Sequence, residues 1–331
     1  MPANNTHGRD REMTAHPGKN RRRSTAGRWA GLRRTAALGA AALTAAAAVV
    51  LAAGSPASAA LNNYTFAGLA DWDHDGHIDI VARDAVGDLY LYPGDSQRAF
   101  SSQPPKPIGT AWNGYTFAGI ADGNGDGNQD IVTTDPAGVL WLYPGQSTRV
   151  PSALYQSPIG DGWNCYTFTG VTDHGCTFVG VTDWDGDGYP DIVARDADGN
   201  LWGYWGDSTG SYDSSRQDLI GNGWNGYTFA GIADVNRDNR PDIVAMDADG
   251  VLWLYSGQNI RGPGGLSGAP IRPGSTGYTF AGHTFAGVTD WDSDGYQDII
   301  ARDNTGDLWA YWGDSTGTYD IVQRTRVGNG W

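Results

Sequence analysis

Glutamate and lysine are almost missing from this 331-residue chain: Glu12 is its only glutamate, and beyond residue 60 Lys106 is its only lysine. Two strong formers of solvent-facing helix therefore go unused, whereas 49 Gly and an abundance of Asp, Asn, Thr, Tyr and Trp suit turns and strands. That balance argues against a helical or mixed α/β enzyme. Histidine is scarce as well: past the first 59 residues only His74, His77, His174 and His283 occur. They form no repeated cluster with Ser or Cys, and no His-Glu-x-x-His pair is present. Catalysis thus finds little support.

Charge is unevenly spread. Residues 1–59 hold 9 basic residues against Asp10 and Glu12, while the rest holds 13 basic residues against 35 acids, all of them Asp. A net −22 there argues against nucleic acid or an anionic membrane as partner. In the leader, the arginines from Arg21 to Arg34 precede an Ala-rich apolar run (36–53) and the small residues Ser55-Pro56-Ala57-Ser58-Ala59. This is the order of a secretory signal. It predicts a signal peptide over 1–59, Sec-type or (from Arg33-Arg34) twin-arginine, and a secreted mature protein with no membrane insertion. A retained membrane anchor is the rival reading.

The mature chain, 60–331, is repetitive. Tyr64-Thr65-Phe66-Ala67-Gly68 recurs from Tyr115, Tyr166, Tyr227 and Tyr278, at spacings of 51, 51, 61 and 51 residues. This divides the chain into repeats 64–114, 115–165, 166–226, 227–277 and 278–331. Extra length falls in the third repeat, by ten residues, and the fifth, by five. Trp331 stands 41 residues after Asp290, as Trp112, Trp163 and Trp224 stand after Asp71, Asp122 and Asp183. The chain thus spans five whole repeats, which favours a closed ring over a capped solenoid. Each repeat reads as short strands broken by turns, in the first over 66–70, 78–83, 89–92 and about 108–112. The expected fold is all-β: a β-propeller of five four-stranded blades.

Between the first two strands each repeat carries Asp-x-Asp-x-Asp-Gly-x-x-Asp or a close variant. Positions 1, 3, 5 and 9 are Asp71, Asp73, Asp75, Asp79; Asp122, Asn124, Asp126, Asp130; Asp183, Asp185, Asp187, Asp191; Asp234, Asn236, Asp238, Asp242; and Asp290, Asp292, Asp294, Asp298. Gly at position 6 permits a sharp bend. A loop dense in carboxylates suits Ca2+, which takes six to eight oxygens at about 2.3–2.6 Å. An EF-hand is excluded, because position 12 is Ala82 or Ala194 inside a strand rather than a Glu. Up to five Ca2+ are expected. The fourth site is the weakest, since Asn236 removes a carboxylate, Arg237 and Arg240 enter the loop and Asn239 takes the bend. The alternative is a set of solvated Asp turns.

The run Phe229 to Val244, Phe-Ala-Gly-Ile-Ala-Asp-x-Asn-x-Asp-x-x-x-Asp-Ile-Val, resembles the FG-GAP/VCBS repeat, the blade of integrin α-like propellers. The resemblance spans nearly all of 61–331 and implies a calcium-stabilised propeller serving adhesion, ligand binding or display. Relatives often have seven blades; five here comes from the repeat count.

Aromatic positions recur at Tyr90, Trp141, Trp202, Trp253, Trp309; at Tyr92, Tyr143, Tyr204, Tyr255, Tyr311; and at Trp112, Trp163, Trp224, Trp331. Sugar stacking and inter-blade packing both account for such series. Trp112, Trp163, Trp224 and Trp331, in Gly-rich surroundings, are the first ligand candidates, with Ser275 interrupting the series; Trp72, Trp184 and Trp291 are the second. Cys165 and Cys176 flank the ten-residue insertion, and a disulfide between them or two free thiols are the alternatives. The expected function is a monomeric, non-catalytic binding or adhesion module for glycan, with an extracellular protein partner second and a polysaccharide-active hydrolase or lyase third.

Overall fold

The computed structural model describes residues 64–95, 104–145, 157–160, 163, 177–212, 216–262, 266–271, 279–315, 319 and 324–331. The leader 1–59, Cys165 and Cys176 lie outside them.

Twenty strands form five antiparallel sheets of four consecutive strands. The first sheet comprises β1 (Thr65–Ala70), β2 (Asp79–Arg83), β3 (Leu89–Tyr92) and β4 (Lys106–Gly109). The second comprises β5 (Thr116–Ala121), β6 (Asp130–Thr134), β7 (Leu140–Tyr143) and β8 (Ser157–Gly160). The third comprises β9 (Thr177–Thr182), β10 (Asp191–Arg195), β11 (Leu201–Tyr204) and β12 (Gln217–Gly221). The fourth comprises β13 (Thr228–Ala233), β14 (Asp242–Met246), β15 (Leu252–Ser256) and β16 (Ser267–Pro270). The fifth comprises β17 (Thr284–Thr289), β18 (Asp298–Arg302), β19 (Asp307–Tyr311) and β20 (Thr325–Asn329).

The first strands of the sheets touch in a cycle, β1–β5–β9–β13–β17–β1, so the sheets are the blades of a five-bladed propeller. Every first strand carries a bulge after its Phe, between Phe66 and Gly68 in β1. The Gly beyond it faces the next blade. A Cβ on Gly68 would meet Ile120 at 3.0 Å, one on Gly231 the Val288 backbone at 3.2 Å, and one on Gly287 Leu69 at 2.9 Å. The Phe-Ala-Gly-aliphatic run is therefore the sequence of a tight ring: Gly opens the gap and the neighbour's aliphatic side chain fills it.

Second strands are covered on both faces. Ile80, Val81 and Ala82 are fully buried, as are Ile299, Ile300 and Ala301, which explains the continuous apolar run where a half-exposed strand would alternate. Fourth strands end earlier than expected: β4 stops at Gly109, and Trp112 lies in the following turn, where its backbone N–H donates to Gly87 O at 2.9 Å. Among the described residues each blade is built from consecutive strands, so no strand ladder joins the two ends of the ring. Side chains close it instead. Trp331 packs on Tyr92, Tyr64 and Phe66 with ring centroids 4.4, 5.4 and 5.6 Å away, and Arg302 donates to Tyr64 O.

Candidate functional site

The acidic loops join the first and second strand of each blade. In the first, Asp71 accepts the N–H groups of Asp75 (3.0 Å) and Gly76 (3.1 Å), and Asp75 accepts that of His77. The loop thus wraps around its own carboxylates. The second, fourth and fifth loops repeat the pair on Asp122, Asp234 and Asp290, and Asp183 accepts from Gly186 and Gly188. Position 6 has positive φ throughout, 86° at Gly76 and 62° at Asn239, as its bend role requires. Position 4 does too (His74, Gly125, Gly186, Arg237, Ser293), a feature the irregular residue choice there conceals.

The ninth-position Asp begins each second strand and is fully buried in all five blades. Asp79 accepts from Trp72 N–H at 3.1 Å and Gly94 N–H at 2.8 Å. Gly145, Gly206, Gly257 and Gly313 donate likewise to Asp130, Asp191, Asp242 and Asp298. A Cβ on Gly94 would stand 2.1 Å from Ile78 O, so only Gly lets that backbone reach the carboxylate. Sequence reading ended the third strand at Tyr92 and assigned Gly94 no role, so it missed this contribution.

Burial pushes the Asp79, Asp191 and Asp298 carboxyls up to about 7 and Asp130 to about 6, and raises Asp242. Backbone N–H bonds act the other way, and the nearby Asp73 and Asp75 carboxylates push Asp79 further up. Carboxylate oxygens come within 4.8 Å of one another in three groups: Asp71, Asp73, Asp79; Asp183, Asp185, Asp191; and Asp290, Asp292, Asp294. Like charges so closely packed favour a cation among them, and the all-oxygen donor set fits a hard divalent ion. In the second and fourth loops the amide at position 3 changes the balance. Asn236 donates its Nδ2 to Asp242 at 3.3 Å, placing an N–H where the other loops offer an oxygen.

The two tryptophan sets singled out as ligand candidates are not exposed. Trp112, Trp163, Trp224 and Trp331 are only 4–6% exposed, wedged between blades against Tyr143, Tyr204, Tyr255 and Tyr92 at 4.4–4.5 Å. Their Gly-rich flanks let the turn fold the ring inward rather than present it. Trp72, Trp184 and Trp291 are buried as well. Nor is the wedge series interrupted at Ser275: Phe280 takes the place, its N–H on Gly250 O at 2.9 Å and its ring 4.8 Å from Tyr311. His283 then replaces the usual Tyr, its Nε2 3.0 Å from the Tyr311 hydroxyl. Trp141, Trp202, Trp253 and Trp309 are half-buried, and their indole N–H groups donate to Asp135, Asp196, Asp247 and Asp303 at 2.7–2.9 Å. Arg324 lies over Trp309 at 4.0 Å.

Two Gly-x-Ser-x-Gly runs begin at Gly206 and Gly313. Among the described residues neither run makes the strand-to-helix turn of a nucleophile elbow: each follows the third strand of a blade, and the N–H of its first Gly is held by Asp191 or Asp298.

Residues 71–133 and 183–245 match the FG-GAP-like repeat, each stretch running from the first Asp of one acidic loop into the second strand of the next blade. Among solved structures, the chain is similar to the BP39L lectin from Burkholderia pseudomallei (16% identity over 78% of this chain and 68% of that one, TM-score 0.40). It is also similar to YCF48 from Cyanidioschyzon merolae (12% identity over 82% and 89%, TM-score 0.39). The chain thus carries FG-GAP-like repeats at 71–133 and 183–245 within a five-bladed β-propeller fold.

Proposed function

We propose that the protein is an exported, calcium-binding, non-catalytic binding module whose ligand is a glycan. The calcium reading is carried by one observation: three loops each gather three carboxylate oxygens within 4.8 Å. Bound Ca2+ would supply positive charge at positions 1, 3, 5 and 9, with the strongest sites in the loops that have four carboxylates. The residues do the rest, since buried Asp79 and its counterparts tie each loop to the backbone after the third strand.

The glycan reading rests on Trp141, Trp202 and Trp253, half-buried rings held by an Asp, a pairing suited to stacking on a sugar beside a hydroxyl acceptor. Export rests on the leader 1–59. A glycan array run with calcium and with chelator tests both parts: binding lost with chelator supports them together. Capture of a discrete protein without competition by sugar would replace glycan by a protein partner. Turnover of a polysaccharide would replace the binding module by an enzyme.

A further inference from the structure

By sequence the third loop, Asp183-Trp184-Asp185-Gly186-Asp187-Gly188, has every feature of a strong site. The fourth blade alters it. Between β15 and β16 the chain turns through Asn259, at φ 50°, and sends Arg261 across to the third blade. Arg261 Nε donates to Asp185 Oδ2 and Arg261 Nη2 to Asp187 Oδ2 at 2.8 Å, with the guanidinium 5.3 Å from the Trp205 ring centre. The other oxygens of these carboxylates are spent inside the loop: Asp185 Oδ1 accepts Asp187 N–H and Asp187 Oδ1 accepts Tyr189 N–H. The two oxygens left for a cation at positions 3 and 5 are therefore those that Arg261 holds.

We infer that Arg261 is an internal cation that competes with calcium for the third loop, so that calcium entering there frees the segment around Arg261. The inference rests on the calcium reading of the same loop. A planar, singly charged guanidinium on two of four carboxylates is a weaker partner than a divalent ion on all four, and its side chain is 45% exposed. Exchange is therefore permitted. Linkage makes the competition reciprocal: whatever factor Arg261 takes from calcium affinity, calcium takes from Arg261 docking. The released segment also covers something. Ile260 and Gly262 line a shallow surface cleft with Trp184, Ile220, Gln258 and Leu266. Trp184, 2% exposed, is itself a loop residue, so metal entry at Asp183–Asp191 and opening over Trp184 are one event.

Calorimetric calcium titration of the wild-type protein and of Arg261→Gln tests this. One site is expected to tighten by about 5-fold or more in the variant, the remaining sites being unchanged. The second readout is trypsin cleavage after Arg261, followed by mass spectrometry. It is expected to be faster in calcium than in chelator, against the general protection that a bound metal gives. Calcium bound by both proteins, with Arg261→Gln equal or weaker and cleavage at Arg261 slowed, would show a strut that orders the loop and overturn the inference. No calcium bound by either protein would overturn the calcium reading instead. Thermal unfolding of the variant at wild-type temperature excludes misfolding as the cause.

Discussion

At the scale of single residues, the acidic loops depend on backbone geometry as much as on charge. His74 holds φ 58° at position 4, where Gly125 and Gly186 hold 73° and 80° in their own loops. A left-handed non-Gly residue costs about 1–2 kcal/mol, so His74→Gly is expected to raise stability by about 1 kcal/mol in denaturant unfolding, while His77→Gly brings no gain. The reverse holds at Gly94, where a Cβ would press on Ile78 O at 2.1 Å. Gly94→Ala should cost about 3 kcal/mol or more in unfolding and, on the calcium binding proposed above, lower the metal content by one ion in elemental analysis. The acidic pattern was legible in sequence because Asp at positions 1, 3, 5 and 9 repeats in register. The contribution of Gly94 was not, because it comes from the backbone just beyond β3, which meets Asp79 only in the folded blade.

Among the elements, the blade junctions differ in kind. Arg83, at the end of β2, reaches into the next blade and donates to Trp112 O at 2.7 Å and Tyr115 O at 2.8 Å; Arg195 makes the same pair of bonds to Trp224 O and Tyr227 O. Arg302 does this across the ring closure, to Tyr64 O. The second and fourth blades carry Thr134 and Met246 instead, and the junctions that follow them are the two with extra residues. The half-buried guanidinium makes charge-assisted bonds to part-buried carbonyls, each worth about 1.5–3 kcal/mol. Arg83→Met should therefore lower stability by about 2–3 kcal/mol, against less than about 0.5 kcal/mol for the exposed Arg326→Met. Trp112→Ala should cost about 3–5 kcal/mol by leaving a cavity between blades. The glycan binding proposed above, measured on the folded fraction, should stay unchanged, as befits a packing residue.

For the whole molecule, five fully buried carboxylates around one ring make stability depend on pH and metal together. In metal-free protein Asp79, Asp191 and Asp298 titrate at about 7, against 3.8 in the unfolded chain. The folded state then binds more protons between these values, so the stability from these groups is complete below about 4 and is lost as pH rises through about 7. With chelator the melting temperature should fall between pH 5 and pH 7.5. With calcium, which favours the ionised carboxylates, that fall should vanish or reverse, as differential scanning calorimetry in both buffers would show.

Taken alone, the sequence determined the blade count, the strand periods and the acidic loops, because each is a local pattern copied five times and a repeat makes its own alignment. Only the tertiary structure decided which rings face inward, that Phe280 stands where a tryptophan stands elsewhere, and that Arg261 of one blade reaches the loop of another. The physical reason is that burial and charge pairing between blades are set by distances across the ring. Residues 76 apart, such as Asp185 and Arg261, have no periodic signal tying them together until the blades pack side by side.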